Sequence, residues 1–184
     1  MRETVISFHI YLRRRQTIRQ MAPKPCSAAT SNAPWHLRPG DPALPDVLSL
    51  IRAAFAGMDG RVSPPSSVHR LTRADLDATT CEVWAIGTPP VACVVLTPLA
   101  DTLYLGKLAV APAARRHGAA RALVETAVMR ALALGLSSVT AQVRIALTQN
   151  QIAFARMGFV EVARTAHSGF DRPTSITYVR PVRP

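Results

Sequence analysis

Leu108-Ala109-Val110-Ala111-Pro112-Ala113-Ala114-Arg115-Arg116-His117-Gly118-Ala119-Ala120-Arg121-Ala122-Leu123-Val124 is the stretch that decides how the chain folds. Its apolar start reads as the end of a strand. From Ala113 a long helix is expected to reach Leu134, because Ala120, Val124, Ala127, Ala131 and Leu134 recur at steps of three and four, and Gly135 supplies the stop. Where strand meets helix stands Arg115-Arg116-His117-Gly118-Ala119-Ala120. Such a loop presents unpaired backbone N–H groups at the positive end of a helix dipole, which together cradle an anion. Gly118 lets the backbone approach a phosphate closely, and the small Ala119 and Ala120 keep side chains out of its way. Arg115, Arg116 and Arg121 add planar cationic forks that suit further phosphates.

Upstream, three apolar runs at 81–86, 91–96 and 103–110 are separated by Gly87-Thr88-Pro89-Pro90 and Ala100-Asp101, the pattern of a strand meander. Before them come a short strand at 35–38 and a helix opened by Asp41-Pro42, with Val47, Leu48, Leu50, Ile51, Ala54 and Phe55 inward and Gly57 as its end. Residues 58–80 are polar and turn-rich, with Pro64-Pro65-Ser66-Ser67 and a short helix capped by Thr72. Downstream, 138–144 reads as a strand, Thr148-x-x-Gln151 as a capping box opening a short helix that Gly158 closes, and 159–165 and 175–180 as the last strands. Strands with interspersed helices, and a parallel crossover around the long helix, make a mixed α/β sheet.

The 184 residues suit one domain with a tail, and 48% hydrophobic against 18% charged residues is the composition of a folding chain. The formal charge is +11. Five arginines against Glu3 place +4 of it in residues 1–21, leaving +7 for the remainder. This excess favours anionic partners, but no basic and aromatic stripe accompanies it, which weakens a nucleic-acid reading. Cys26, Cys81 and Cys93 are odd in number and lack ligand spacing, which argues against a disulfide framework or a zinc site and suits a cytoplasmic setting. No apolar run of about 18 residues occurs, so no membrane span is expected. Residues 1–34 are expected to form a disordered basic tail and a Pro/Ser/Ala-rich linker, with Met21 an alternative start, and 35–184 the domain.

Preceded by Leu108-Ala109-Val110-x-Pro112 and followed by a short helix ending in Met157-Gly158-Phe159, the loop resembles the acyl-CoA signature Gln/Arg-x-x-Gly-x-Gly/Ala of the GCN5-related N-acetyltransferase (GNAT) superfamily. The resemblance implies a mixed, mostly antiparallel sheet flanked by about four helices, with strands 103–110 and 138–144 splayed apart. It implies acetyl-CoA as cosubstrate, no metal, and an amine acceptor, in a monomer or homodimer. Leu108, Ala109 and Val110 would offer main-chain hydrogen bonds to the pantetheine arm, and Arg115, Arg116, His117, Gly118, Ala119 and Ala120 would hold the pyrophosphate, with Arg121 beside them. In one respect the chain departs from the pattern. Many members carry a tyrosine four residues before the Gly-Phe pair, able to protonate the leaving thiolate, and here that position is Phe154. Another group is the acid, or the thiolate leaves unaided, which its ordinary pKa of about 8.5 allows, or the site binds acyl-CoA without transferring it. Asn150, one turn earlier, can still hydrogen-bond CoA.

An ammonium acceptor must lose a proton before it attacks, and the candidate bases are Glu82, Tyr104, Asp59, His69 and His167. Asp59, Ser66, Ser67 and His167 are candidates for lining the acceptor pocket. Three functions follow: an acetyl-CoA-dependent N-acyltransferase, a noncatalytic acyl-CoA-binding regulatory module, or a basic nucleic-acid-associated protein.

Overall fold

The computed structural model describes residues 33–182, so nearly all of the expected tail and linker lies outside the described residues. β1 (Trp35–Leu37) leads to α1 (Leu44–Ala56), a 3-10 turn over Ser67–Arg70 and α2 (Arg73–Asp77). β2 (Glu82–Ile86), β3 (Ala92–Pro98) and β4 (Thr102–Val110) follow, then α3 (Ala119–Ala133), β5 (Ser138–Arg144), α4 (Thr148–Arg156), β6 (Val160–Thr165) and β7 (Ser175–Pro181). The seven strands form one sheet in the order β1-β2-β3-β4-β5-β7-β6. Only β4 and β5 run parallel, joined by the crossover through α3; every other pair is antiparallel. This is the mixed, mostly antiparallel sheet that the resemblance implies.

Period-2 strands and period-3.6 helices divide the core into two layers. Leu123, Val124, Ala127 and Ala131 of α3 pack on one face against Val94, Leu96, Leu103 and Leu105. Leu44, Val47 and Ile51 of α1 cover the other face with Leu37, Val83 and Cys93. The remaining residues read as inward on α1, Leu48, Leu50, Ala54 and Phe55, are only partly buried at the edge of that layer. Thr72 caps α2 as expected: its hydroxyl accepts the Asp75 N–H at 3.3 Å while the Asp75 carboxylate accepts the Thr72 N–H at 2.8 Å, a reciprocal capping box.

Several boundaries differ from expectation. The long helix starts at Ala119 rather than Ala113, because residues 112–114 form a separate 3-10 turn and Arg116 and Gly118 take left-handed φ values of +67° and +84°. Leu134, read as core, is the C-cap of α3 and is exposed. Thr148 caps nothing: α4 is preceded by Leu147 without a side-chain cap, and the Gln151 amide instead donates to the Ile145 carbonyl at 2.7 Å. β6 begins at Val160, and Phe159 turns into the core.

One irregularity shapes the molecule. Gly106 pairs with Val95 and Ala109 with Cys93, so Lys107 and Leu108 together face the single Val94, and Lys107 holds φ at +49°. Such a bulge shifts the side-chain parity of the strand by one residue. Leu103 and Leu105 therefore face α3, whereas Ala109, which unbroken alternation would put on that same face, is buried with the α1 layer.

Candidate functional site

The bulge also ends the parallel pairing. β4 and β5 are in register from Thr102 opposite Ser138 to Leu105 opposite Ala141, and no further. Past that point β4 follows β3 while Gln142, Val143 and Arg144 follow β7. The two central strands thus diverge. A cleft of about 680 Å³ occupies the opening, with Gly106, Lys107 and Leu108 on one side and Gln142, Val143 and Arg144 on the other. That volume falls within the usual range for small-molecule sites. Asn150 and Phe154 of α4 line it, as do Ser66 and Ser67 of the 64–67 segment and His167 of the β6–β7 loop. The Ala111 N–H bonds to the Val91 carbonyl at 2.8 Å, so Val110, one residue earlier, turns its own polar groups away from β3 toward the opening. Its carbonyl accepts a bond from Arg115 Nε at 3.3 Å.

Beyond the strand lies the amide cradle. The first bond within α3 runs from the Ala122 N–H to the Gly118 carbonyl at 2.9 Å, which leaves the N–H groups of Ala119, Ala120 and Arg121 without intrahelical acceptors. A Cβ built on Gly118 meets nothing within 4 Å, so this position opens on free space where an anion can approach the backbone. Arg116 and His117 are exposed beside it, and Arg121 donates to the Arg156 carbonyl at 3.1 Å, tying α3 to the end of α4. The residues present fit a diphosphate: free amides, a helix N-terminus, and arginine on both flanks.

The candidate bases separate by geometry. Glu82 stands outside the cleft, and its carboxylate accepts two bonds from Arg130 of α3, at 2.6 and 2.9 Å, and one from Trp84 Nε1 at 3.0 Å. Arg130 first, aided by Trp84, holds its pKa below the ordinary carboxylate value despite burial. Of the candidate bases, Glu82 is thus the one the structure sets in an ion pair outside the cleft rather than on its lining. Tyr104 lines the cleft, and burial raises the pKa of its phenol, so it retains its proton rather than taking one. Gly106 makes room for it, since a Cβ there would stand 3.1 Å from Tyr104 Cε1. His167 also lines the cleft, but Arg144 Nη1 donates to its Nε2 at 2.9 Å while Nδ1 is bonded to Thr174 Oγ1. Burial, and secondarily Arg144, lower its pKa. His69 and Asp59 come together, Nε2 to Oδ1 at 2.8 Å. His69 lines the main cleft, and Asp59 lies in an adjoining pocket of about 230 Å³ that shares His69 with it.

Of the serines, Ser66 spends its hydroxyl accepting the Val68 N–H at 3.3 Å, whereas Ser67 accepts a bond from Lys107 Nζ at 2.8 Å. Phe154 is edge-on to Phe159 at 5.1 Å and stacked on Tyr178 at 6.2 Å, an aromatic wall with no proton to give.

Among the lining residues that the sequence did not single out are two cations of the cleft wall. Lys107 and Arg144 are partly buried in the cleft wall, and burial lowers the pKa of each. Lys107 had left a trace, being a lone lysine after Gly106 in an otherwise apolar run; Arg144 resembles any charge at a strand end. No Asp or Glu lines the cleft among the described residues, nor is any group of three or more metal-ligating side chains assembled there. No described helix is long and apolar enough to cross a membrane.

Comparison with known proteins agrees with this geometry. The fold matches the aminoglycoside 6'-acetyltransferase type Ii with a TM-score of 0.65 at 16% identity, covering 82% of this chain and 97% of that one. It matches an acetyltransferase of the GNAT family from Staphylococcus aureus Mu50 with a TM-score of 0.61 at 13% identity, covering 82% and 100%. The ribosomal-protein-S18-alanine N-acetyltransferase from Escherichia coli gives 0.59 at 20% identity, covering 83% and 94%. Comparison with curated proteins finds no match. The model of the acetyltransferase (GNAT) family matches residues 45–159, from α1 through the cleft and the amide cradle to the end of α4, and the chain belongs to that family.

Proposed function

We propose that the protein transfers the acetyl group of acetyl-CoA to an amine by direct attack, with residues 115–121 holding the pyrophosphate and the β4–β5 opening admitting the pantetheine arm. One observation carries this reading: the strand that lines the opening leads, through the 111–118 loop, to the N–H groups at the start of α3 that have no intrahelical acceptor. Acetyl-CoA supplies the thioester carbonyl that the amine attacks. Val110 and the neighbouring β4 main chain, having lost their partner strand, offer hydrogen bonds to the arm and to the carbonyl oxygen as it gains charge. His69 takes the proton of the ammonium on Nδ1, since Nε2–H donates to Asp59, which orients the ring. As the C–N bond forms and the C–S bond breaks, Tyr104 supplies the proton that Phe154 cannot, its phenol being held protonated by burial. Proximity contributes the largest share, because cleft and cradle fix both reactants.

The test is release of CoA by the full chain with acetyl-CoA and a panel of small amines, amino acids and peptide N-termini. Release above the uncatalysed rate, with matching acetylated amine, supports the reading. Tight binding of acetyl-CoA without release for any acceptor favours the noncatalytic module to which Phe154 points.

A further inference from the structure

We propose that the acceptor carries an anionic group, carboxylate or phosphate, close to its reacting amine, and that Arg144 and Lys107 bind that group. This rests on the acetyltransferase reading above and goes further by naming the acceptor's chemistry.

Both side chains are fixed without a counterion. Arg144 donates through Nη2 to the Pro64 carbonyl and through Nη1 to His167, and its Nε is buried with no partner. Lys107 donates to the Ser67 hydroxyl. Every one of these acceptors is neutral. The four ion pairs among the described residues involve neither side chain, and no carboxylate lines the cleft. Removing a cation from water without a compensating charge is unfavourable, and burial lowers the pKa of both groups accordingly. An anion arriving in the cleft would relieve that cost.

The pyrophosphate of CoA is not the natural candidate for that anion, because the amide cradle that suits it lies beyond the end of β4 and its residues do not line the cleft. Arg144 and Lys107 instead reach toward Pro64 and Ser67, in the segment that also carries His69. The anion is thereby placed beside the residue that would deprotonate the amine. Two held cations also disfavour a polycationic acceptor, since like charges in a confined site repel.

The experiment compares matched acceptors with the full chain: L-phenylalanine against phenethylamine for the carboxylate, O-phosphoethanolamine against ethanolamine for the phosphate, and spermine as polycation. The anionic member of at least one pair should show about 10- to 100-fold higher kcat/KM, the span of charge-assisted hydrogen bonds. Which pair responds identifies the anion. In Arg144→Gln and, independently, Lys107→Met, that preference should fall toward unity while the Kd of acetyl-CoA changes less than about threefold. Melting temperatures identify a variant that fails to fold, and the other variant then decides. Equal or better turnover of the neutral amines or spermine overturns the inference and leaves the acetyltransferase reading intact. Weakening of acetyl-CoA to the same extent as the acceptor assigns the cations to CoA and also overturns it. Absence of CoA release with every amine overturns both.

Discussion

Replacing Glu82 by glutamine separates a structural carboxylate from a catalytic one. The side chain is 19% exposed and that of Arg130 31%, so the pair is intermediate between a surface bridge and a buried one. In Glu82→Gln the new amide keeps a neutral acceptor for one Arg130 nitrogen or for Trp84 but loses the charge assisting two bonds of 2.6 and 2.9 Å. The difference between a charged and a neutral hydrogen bond is about 1 kcal/mol each, and partial exposure discounts it, giving a loss of about 1–2 kcal/mol. For a domain of this size that lowers Tm by about 3–6 °C. The pH dependence has a definite sign. Because Arg130 depresses the folded-state pKa of Glu82, its stabilisation is complete above the ordinary value of about 4.3 and is lost as pH falls through the folded value. The Tm gap between wild type and variant should therefore be full at pH 7 and close in acid. Thermal melts from about pH 3 to 7, with kcat/KM at neutral pH, measure both quantities. A hundredfold fall in kcat/KM with unchanged Tm would refute the structural role and restore Glu82 as the base.

His69→Gln should lower kcat/KM about 10²- to 10³-fold and Asp59→Asn about tenfold; wild-type kcat/KM in both would remove the dyad from the mechanism. Phe154→Tyr should preserve or modestly raise turnover, because a second phenol then stands near Tyr178 and Phe159, while Tyr104→Phe should reduce the rate; wild-type turnover in the latter would mean that the thiolate leaves unaided. Gly106→Ala should lower turnover through Tyr104, whose ring must move a few tenths of an ångström to clear the new methyl group, and a crystal structure of the variant with Tyr104 unmoved would contradict this.

The alternating periods of strand and helix were legible because burial imposes them: every strand and every α-helix of the described residues overlaps a stretch read as such. The start of α3 was not, since Ala113 and Ala114 have high helix propensity and only the backbone angles of Arg116 and Gly118 set them apart from the helix. The bulge at Lys107 was equally hidden. Inserting one residue leaves the apolar composition of 103–110 unchanged while moving Ala109 to the opposite layer and ending the pairing with β5. The pairing of Asp59 with His69, ten residues apart, and of Glu82 with Arg130, 48 apart, depends on tertiary placement that no local spacing encodes. For the same reason Arg144 went unnoticed, as its partners Pro64 and His167 come from distant loops.

The amide cradle is tested most directly by the Kd of acetyl-CoA for Gly118→Glu against wild type, measured by calorimetry. Gly118 sits at φ +84° with open space around its Cα, so the fold tolerates a side chain for about 1–2 kcal/mol of backbone strain. The introduced carboxylate, about 4 Å from a bound phosphate, would oppose it by about 4 kcal/mol at an effective dielectric of about 20. The expected result is a loss of affinity of at least a hundredfold in a variant that still melts cooperatively; an unchanged Kd would contradict the account.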